Sequence, residues 1–201
     1  MLDARLEIAN DIIRMFNRDQ KVSKAFLRGS ISRPEEMDKY SDIDIGVDVS
    51  GHDNGEFARS IPSMMEKNFN VLFFDWSPSL LPDDYVITFV LKDVPIFWIV
   101  DIQVFASPHH PSLREVSVNK YHHLLKLWIL NLKYWIREDE DAVKNIERLA
   151  RKTFSEQLDN QGTYYLMSEV LNEIKLNIEP ELLEFAHRCE DKLERFNNES
   201  I

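Results

Sequence analysis

The chain has 201 residues, enough for one ordinary domain or a compact core with a smaller appendage. Hydrophobic residues make up 44% and charged residues 29%, the balance of a globular chain. The formal net charge is −11, with 11 basic and 18 acidic residues up to residue 105 and 13 and 17 beyond it. Neither part therefore offers the cationic surface that a row of phosphates needs, which argues against a broad nucleic-acid or anionic-membrane surface and favours a cationic small substrate.

The opening Met1–Arg5 mixes Asp3 and Arg5 with Leu2, unlike a signal peptide. Leu6, Ile8, Ala9, Ile12, Ile13 and Phe16 recur with helical spacing and predict an amphipathic helix. Val22 to Leu27 reads as a short strand that ends in Arg28-Gly29-Ser30, followed by a polar stretch from Ser32 to Ser41. Asp42 to Val49 alternates strictly, so Ile43, Ile45, Val47 and Val49 take a core face and Asp42, Asp44 and Asp48 the other. Four of the five glycines lie between Gly29 and Gly55, which concentrates backbone freedom there. Phe57 to Lys67 has a helical pattern interrupted by Pro62. Val71–Asp75, Tyr85–Leu91 and Ile96–Phe105 are rich in β-branched and aromatic residues and predict three more strands. Ala106–Ser112, with Pro108 and Pro111 around His109-His110, reads as a linker.

Beyond it the pattern becomes helical. Stripes run through Tyr121–Ile136, Val143–Phe154, Tyr164–Leu171 and Leu182–Phe196, the last with Pro180 where a helix begins. The expected architecture is α+β, with a mixed-sheet domain over residues 1–106 and an all-helical domain over 107–201. The single cysteine, Cys189, forms no internal disulfide and fits a reducing, cytoplasmic setting. No apolar run approaches the ~20 residues of a membrane span.

Two devices stand close together in the first half: Gly29-Ser30 at a strand end and Asp42-Ile43-Asp44 on the next strand. Period-2 geometry places the two acids on one face, roughly 6–7 Å apart. Carboxylates that close repel unless a cation sits between them, and Mg²⁺ suits such oxygen ligands together with substrate phosphate. A Gly-Ser turn supplies free backbone N–H groups and a hydroxyl, a cradle for phosphate. Asp101 lies in the otherwise apolar run Trp98–Val104, where a lone acid is costly unless paired or bound to metal, and it is the candidate for a third carboxylate.

These residues resemble the nucleotidyltransferase superfamily with the DNA-polymerase-beta-like palm. Its signature, hydrophobic-Gly-(Gly/Ser), a spacer, then Asp-hydrophobic-(Asp/Glu)-hydrophobic, is matched by Leu27-Arg28-Gly29-Ser30 and Asp42-Ile43-Asp44-Ile45. The Ser41-Asp42-Ile43-Asp44 run and the Gly29-Ser30…Arg33 run are similar to the small bacterial branch. That branch holds aminoglycoside and lincosamide nucleotidyltransferases and the minimal nucleotidyltransferases of toxin–antitoxin pairs. The sequence departs from the branch at Arg28, where an apolar residue is common, and at Pro34, where a glycine is usual.

The resemblance implies a palm fold, Mg²⁺ as cofactor and ATP as co-substrate. It implies Asp42, Asp44 and Asp101 as metal-binding catalytic residues, and Gly29, Ser30, Arg33 and Ser41 at the nucleotide. The implied reaction is attack of an acceptor hydroxyl on the α-phosphorus with release of pyrophosphate. The partners are then a nucleoside triphosphate and a small-molecule acceptor such as an aminoglycoside-like antibiotic, bound by the helical domain, with no membrane or nucleic acid; some relatives share sites across a homodimer. The rival readings are a protein- or tRNA-modifying, antitoxin-type enzyme and a palm that holds nucleotide without turnover.

Blander readings stand beside these. Alternating acids also mark a solvated strand face, Asp101 an edge strand and Arg33 a surface loop. Asp48, farther along the strand, reads as solvated. Adjacent histidines at 109–110 and 122–123 do not share a face and predict no metal site. Trp98, Trp128 and Trp135 read as core. Glu138–Asp141 reads as a solvated turn, with attraction of a cationic substrate or supply of a general base as alternatives.

Overall fold

The computed structural model describes residues 4–154 and 161–199, so the opening residues 1–3 read above lie outside it. The chain forms two compact units, residues 1–118 and 119–201. The first runs α1 (Ala4–Phe16), β1 (Lys24–Leu27), β2 (Ile43–Asp48), α2 (Asn54–Asn68), β3 (Val71–Trp76), β4 (Tyr85–Leu91) and β5 (Val100–Phe105). The strands form one mixed sheet in the order β1-β2-β5-β4-β3. β2 and β5 are parallel and every other neighbouring pair is antiparallel. The fold is α+β.

One sheet face is the core. Ile43, Ile45 and Val47 of β2, Val100 and Ile102 of β5, and Ile87 and Phe89 of β4 have no exposed surface. They pack with Ala9, Ile12 and Phe16 of α1 and with Ala58, Ile61 and Met65 of α2. The alternation in β2 has this cause: its apolar residues lie under the helices and Asp44 and Asp48 lie on the opposite, partly exposed face. The core covers one face, and the other carries the polar groups together with the stacked Phe26 and Phe105 rings.

Two sequence expectations need correction in detail. The fifth strand begins at Val100 rather than Ile96, because Pro95 opens a reversal closed by Trp98 N–H donating to Pro95 O at 2.9 Å. Trp98 is accordingly only partly buried, with the Arg5 guanidinium 5.3 Å from its ring. The helix α2 continues through Pro62, starting at the cap Asp53, whose carboxylate accepts from Glu56 N–H at 2.9 Å. The Ser112 hydroxyl also donates to Asp53, at 2.6 Å, and chiefly this bond holds the carboxyl below its ordinary pKa.

The stretch that reads as a linker packs back onto the sheet unit. The Tyr85 hydroxyl donates to His110 O, and Leu113 is buried in the core. Asn54, with no exposed surface, anchors this stretch: Oδ1 accepts from His110 N–H at 3.0 Å, and Nδ2 lies 3.1 Å from His109 Nδ1. Pattern and Pro content hide this, because the anchor is an amide 55 residues away in sequence.

The second unit contains α3 (Lys120–Ile136), α4 (Ala142–Thr153), α5 (Thr163–Lys175) and α6 (Leu183–Glu199). Asn119 caps α3 by accepting from Tyr121 N–H at 2.9 Å. Trp128 is fully buried and donates Nε1–H to Met167 O at 2.7 Å, while Trp135, partly buried, meets Phe196 edge-on at 4.9 Å. The Glu138–Asp141 turn is exposed, and Lys144 Nζ lies 3.1 Å from Asp141. Among the described residues no helix is long and apolar enough to cross a membrane.

Replacing Asn54 with Ala strands the buried partners of its amide, so Asn54→Ala is expected to lower unfolding stability by about 2 kcal/mol in urea titration. Cys189 has no exposed surface, and burial pushes its thiol pKa well up. The native protein is therefore expected to be inert to a thiol-specific disulfide reagent at neutral pH, and the urea-unfolded chain to react with one equivalent.

Candidate active site

The parallel register of β2 and β5 pairs Ile43 with Val100, Asp44 with Asp101 and Ile45 with Ile102. Directly paired residues point to the same side, so the Asp44 and Asp101 carboxylates share the face opposite the core, on strands about 4.8 Å apart. Both are partly buried. Asp42, just before β2, belongs to the same face by alternation and is also partly buried.

The polar row extends across the sheet. Thr88 of β4 pairs with Asp101, and its hydroxyl donates to Asp101 Oδ1. Asp75 of β3 pairs in turn with Thr88 and is 2% exposed. On the other side Arg28 N–H donates to Asp44 O at 2.9 Å. The Arg28 guanidinium donates to Gln103 Oε1 and lies 5.1 Å from the Phe105 ring. Gln103 Nε2 donates to Asp84 at 2.8 Å, which completes a hydrogen-bonded line beside the carboxylates.

Gly29 forms the turn over this row. Its φ of 56° and ψ of −154° lie in a region that side chains avoid. A Cβ there would stand 2.1 Å from Asp44 Oδ2, so the missing side chain is what lets the turn approach the carboxylate. Ser30 opens a short 3-10 turn, Ser30–Ser32, held by Arg33 N–H donating to Ser30 O at 2.9 Å and by Ser32 Oγ–H donating to Gly29 O at 2.7 Å.

Arg33 and Ser41 are engaged elsewhere. The Arg33 guanidinium pairs with Glu36 on an exposed turn. Ser41 is 2% exposed; its hydroxyl donates to Asp38 Oδ1 at 2.9 Å and accepts from Asp38 N–H at 3.0 Å. The buried Arg5 of α1 donates to the carbonyls of Asp38 and, at 3.4 Å, Ser41. Ser41 and Arg5 thus shape the approach to Asp42. Asp48 accepts from the hydroxyl of Ser50 at 2.6 Å and its N–H at 2.8 Å; chiefly the hydroxyl bond holds the carboxyl below its ordinary pKa.

Sequence reading missed Thr88, Asp75 and Gln103. Gln103 carries a signal, standing two residues from Asp101 and hence on the same face. Thr88 and Asp75 are polar residues in largely apolar strands, and only the cross-strand register joins them to Asp101.

The donor set is all oxygen and fits a hard divalent cation: two paired carboxylates are the protein share that Mg²⁺ usually takes, with water and substrate phosphate filling the remainder. Among the described residues no group of three His, Cys, Asp or Glu side chains is gathered for a metal ion.

No family model matches the sequence, and neither does any curated protein. Among solved structures, the polymerase core of TRAMP, an RNA surveillance complex, is similar at a TM-score of 0.39 and 16% identity. That match covers 95% of this chain and 57% of the other. A STING-associated CdnE c-di-GMP synthase from Capnocytophaga granulosa is similar at a TM-score of 0.32 and 13% identity, covering 96% and 78%.

Gly29→Ala is expected to lower stability by about 1–3 kcal/mol through strain and to displace the Asp44 carboxylate. Gly162→Ala, where an added methyl meets nothing within 4 Å, is the control and is expected to unfold at nearly the parent urea concentration.

Proposed function

We propose that the chain is a Mg²⁺-dependent nucleotidyltransferase that moves AMP from ATP to the hydroxyl of a small acceptor. The observation that carries this reading is the direct pairing of Asp44 with Asp101 beneath a glycine turn that touches Asp44. A structural role for that pair would place two like charges side by side without gain. We assign the acceptor to the small cationic class, of the aminoglycoside kind, because the chain carries a net charge of −11. The helical unit, residues 119–201, is its binding domain in this reading.

The acceptor oxygen forms a bond to the α-phosphorus, the bond from that phosphorus to the bridging oxygen breaks, and pyrophosphate leaves with the electron pair. The paired Asp44 and Asp101 would hold the cation, with Asp42 on the same face drawn in as a third ligand on binding, and the bound cation would supply charge neutralisation along the polyphosphate. Asp101 also draws the proton from the attacking hydroxyl, and Thr88 fixes one of its oxygens for the task. Gly29 N–H and the Ser30 N–H and hydroxyl bind the β- and γ-phosphates. Arg33 reaches them after leaving Glu36, a surface pair of small worth. Ser41 keeps the loop before Asp42 in place for the nucleotide. Positioning supplies most of the rate.

The test is pyrophosphate release with Mg²⁺ and each triphosphate against a panel of hydroxyl acceptors that includes aminoglycosides and lincosamides. The parent protein is expected to release pyrophosphate with ATP and at least one acceptor. Asp44→Asn and Asp101→Asn are each expected to lower the rate by about a hundredfold or more, a loss of ~2.7 kcal/mol in transition-state stabilisation. Thr88→Val is expected to cost less, with Thr88→Ser restoring the rate. Retention of nucleotide binding by Asp44→Asn with no turnover in the parent would instead mark a binding module.

A further inference from the structure

On the helical unit, α3 and α4 border a half-open groove of about 240 Å³. Each helix contributes one stripe at positions i, i+3, i+4 and i+7: residues 127, 130, 131 and 134 from α3 and 145, 148, 149 and 152 from α4. Leu127, Leu130 and Leu149 make the lining mainly apolar, with Tyr134 adding a 37%-exposed aromatic ring. Arg148 and Lys152 supply two cations, and among the described residues no acid lines the groove.

We propose that this groove binds a small organic anion carrying an aromatic ring, with the ring on the leucines and Tyr134 and the anionic group on Arg148 and Lys152. The groove lies on the unit that the nucleotidyl-transfer reading gives to the acceptor, but none of its residues belongs to the sheet unit that carries the proposed transfer chemistry.

The charge pattern of α4 favours this. Lys144 and Arg151 on the same helix each sit near a local acid, at 3.1 Å from Asp141 just before the helix and 3.9 Å from Glu147 within it. Arg148 instead donates to the amide oxygen of Asn145 at 3.1 Å, and Lys152 Nζ lies 2.8 Å from His123 Nε2. Among the described residues neither takes a carboxylate partner. In a chain with 35 acidic against 24 basic residues, two cations facing a mainly apolar groove with no acid among its described lining make a local exception to the overall field.

Asn131 is 8% exposed and its Nδ2 is committed to Leu127 O at 2.8 Å, so the polar floor is fixed. The volume is below the ~300 Å³ at which drug-sized sites begin, which suits one ring with one anionic group. The same pair of cations repels the cationic acceptor considered above, so the groove is a separate site.

The experiment titrates the full chain with phenyl phosphate, benzoate, inorganic phosphate and benzylamine, by calorimetry and by amide chemical shifts. Phenyl phosphate or benzoate is expected to saturate, with shifts confined to residues 127–134 and 145–152. Binding is expected to be about tenfold or more tighter than for inorganic phosphate or benzylamine, the worth of one good contact. Saturation by phenyl phosphate alone assigns a phosphate ester, and equal saturation by benzoate a general aromatic anion. The double variant Arg148→Gln/Lys152→Gln is expected to lose about tenfold or more, and Lys144→Gln to bind as the parent does. Benzylamine or inorganic phosphate binding as tightly as the aromatic anions, no saturation by either anion, or an unchanged double variant overturns the proposal.

Discussion

The parallel pairing of β2 with β5 is the constraint on which the site depends. A slip of one residue would turn Asp101 toward α1 and α2 and bring Ile102 to the polar face. The register is held from below. Ile43, Ile45, Val47, Val100 and Ile102 are wholly buried on the helix side, and burying each such side chain is worth about 1.5–3 kcal/mol. The core therefore specifies which carboxylates meet, from the opposite face of the sheet. Two carboxylates about 5 Å apart repel by ~3 kcal/mol at an effective dielectric near 20, a cost the apolar face can sustain.

The neighbouring contacts limit how far the carboxylates can move. Thr88 holds Asp101 from one side, and the Gly29 turn closes on Asp44 from the other. The Arg28–Gln103–Asp84 line runs parallel to that row and ties β1, β5 and the start of β4 together. Glycine at 29 and the small Gly46, whose Cβ would stand 2.5 Å from the Phe26 ring, are needed for close approach rather than for flexibility.

Much of this was legible in the sequence because one rule, period-2 alternation, governs β2. Asp42 to Val49 declares both the strand and the face of its acids, and Asp101 stands out as an acid in an apolar run. Strand order was not legible, because β2 pairs with a strand more than fifty residues away and local pattern carries no register. For the same reason Thr88 and Asp75 escaped notice: each is unremarked in its own strand and gains meaning through its cross-strand partner. Ile96–Ile99 have strand-like composition but follow Pro95, and the turn there overrides propensity. Asn54 and its anchoring of residues 109–110 depend on tertiary contact alone.

The electrostatics of the sheet face explain why the transfer reading needs a divalent cation rather than side-chain cations. Lys24 and Arg28, which share that face, lie 5.3 and 5.1 Å from the rings of Phe26 and Phe105. Arg33 is paired with Glu36. Around Asp44 and Asp101 the fixed charge is negative, and so is the balance of residues up to 105, with 18 acids against 11 bases. A triphosphate approaching alone would meet like charge. On the proposed reading, a triphosphate arriving with Mg²⁺ would meet carboxylates able to enter the ion's oxygen shell. The acids that would repel the bare nucleotide are, on that reading, the groups that would hold its metal complex, so affinity and metal dependence would have one physical origin in this site.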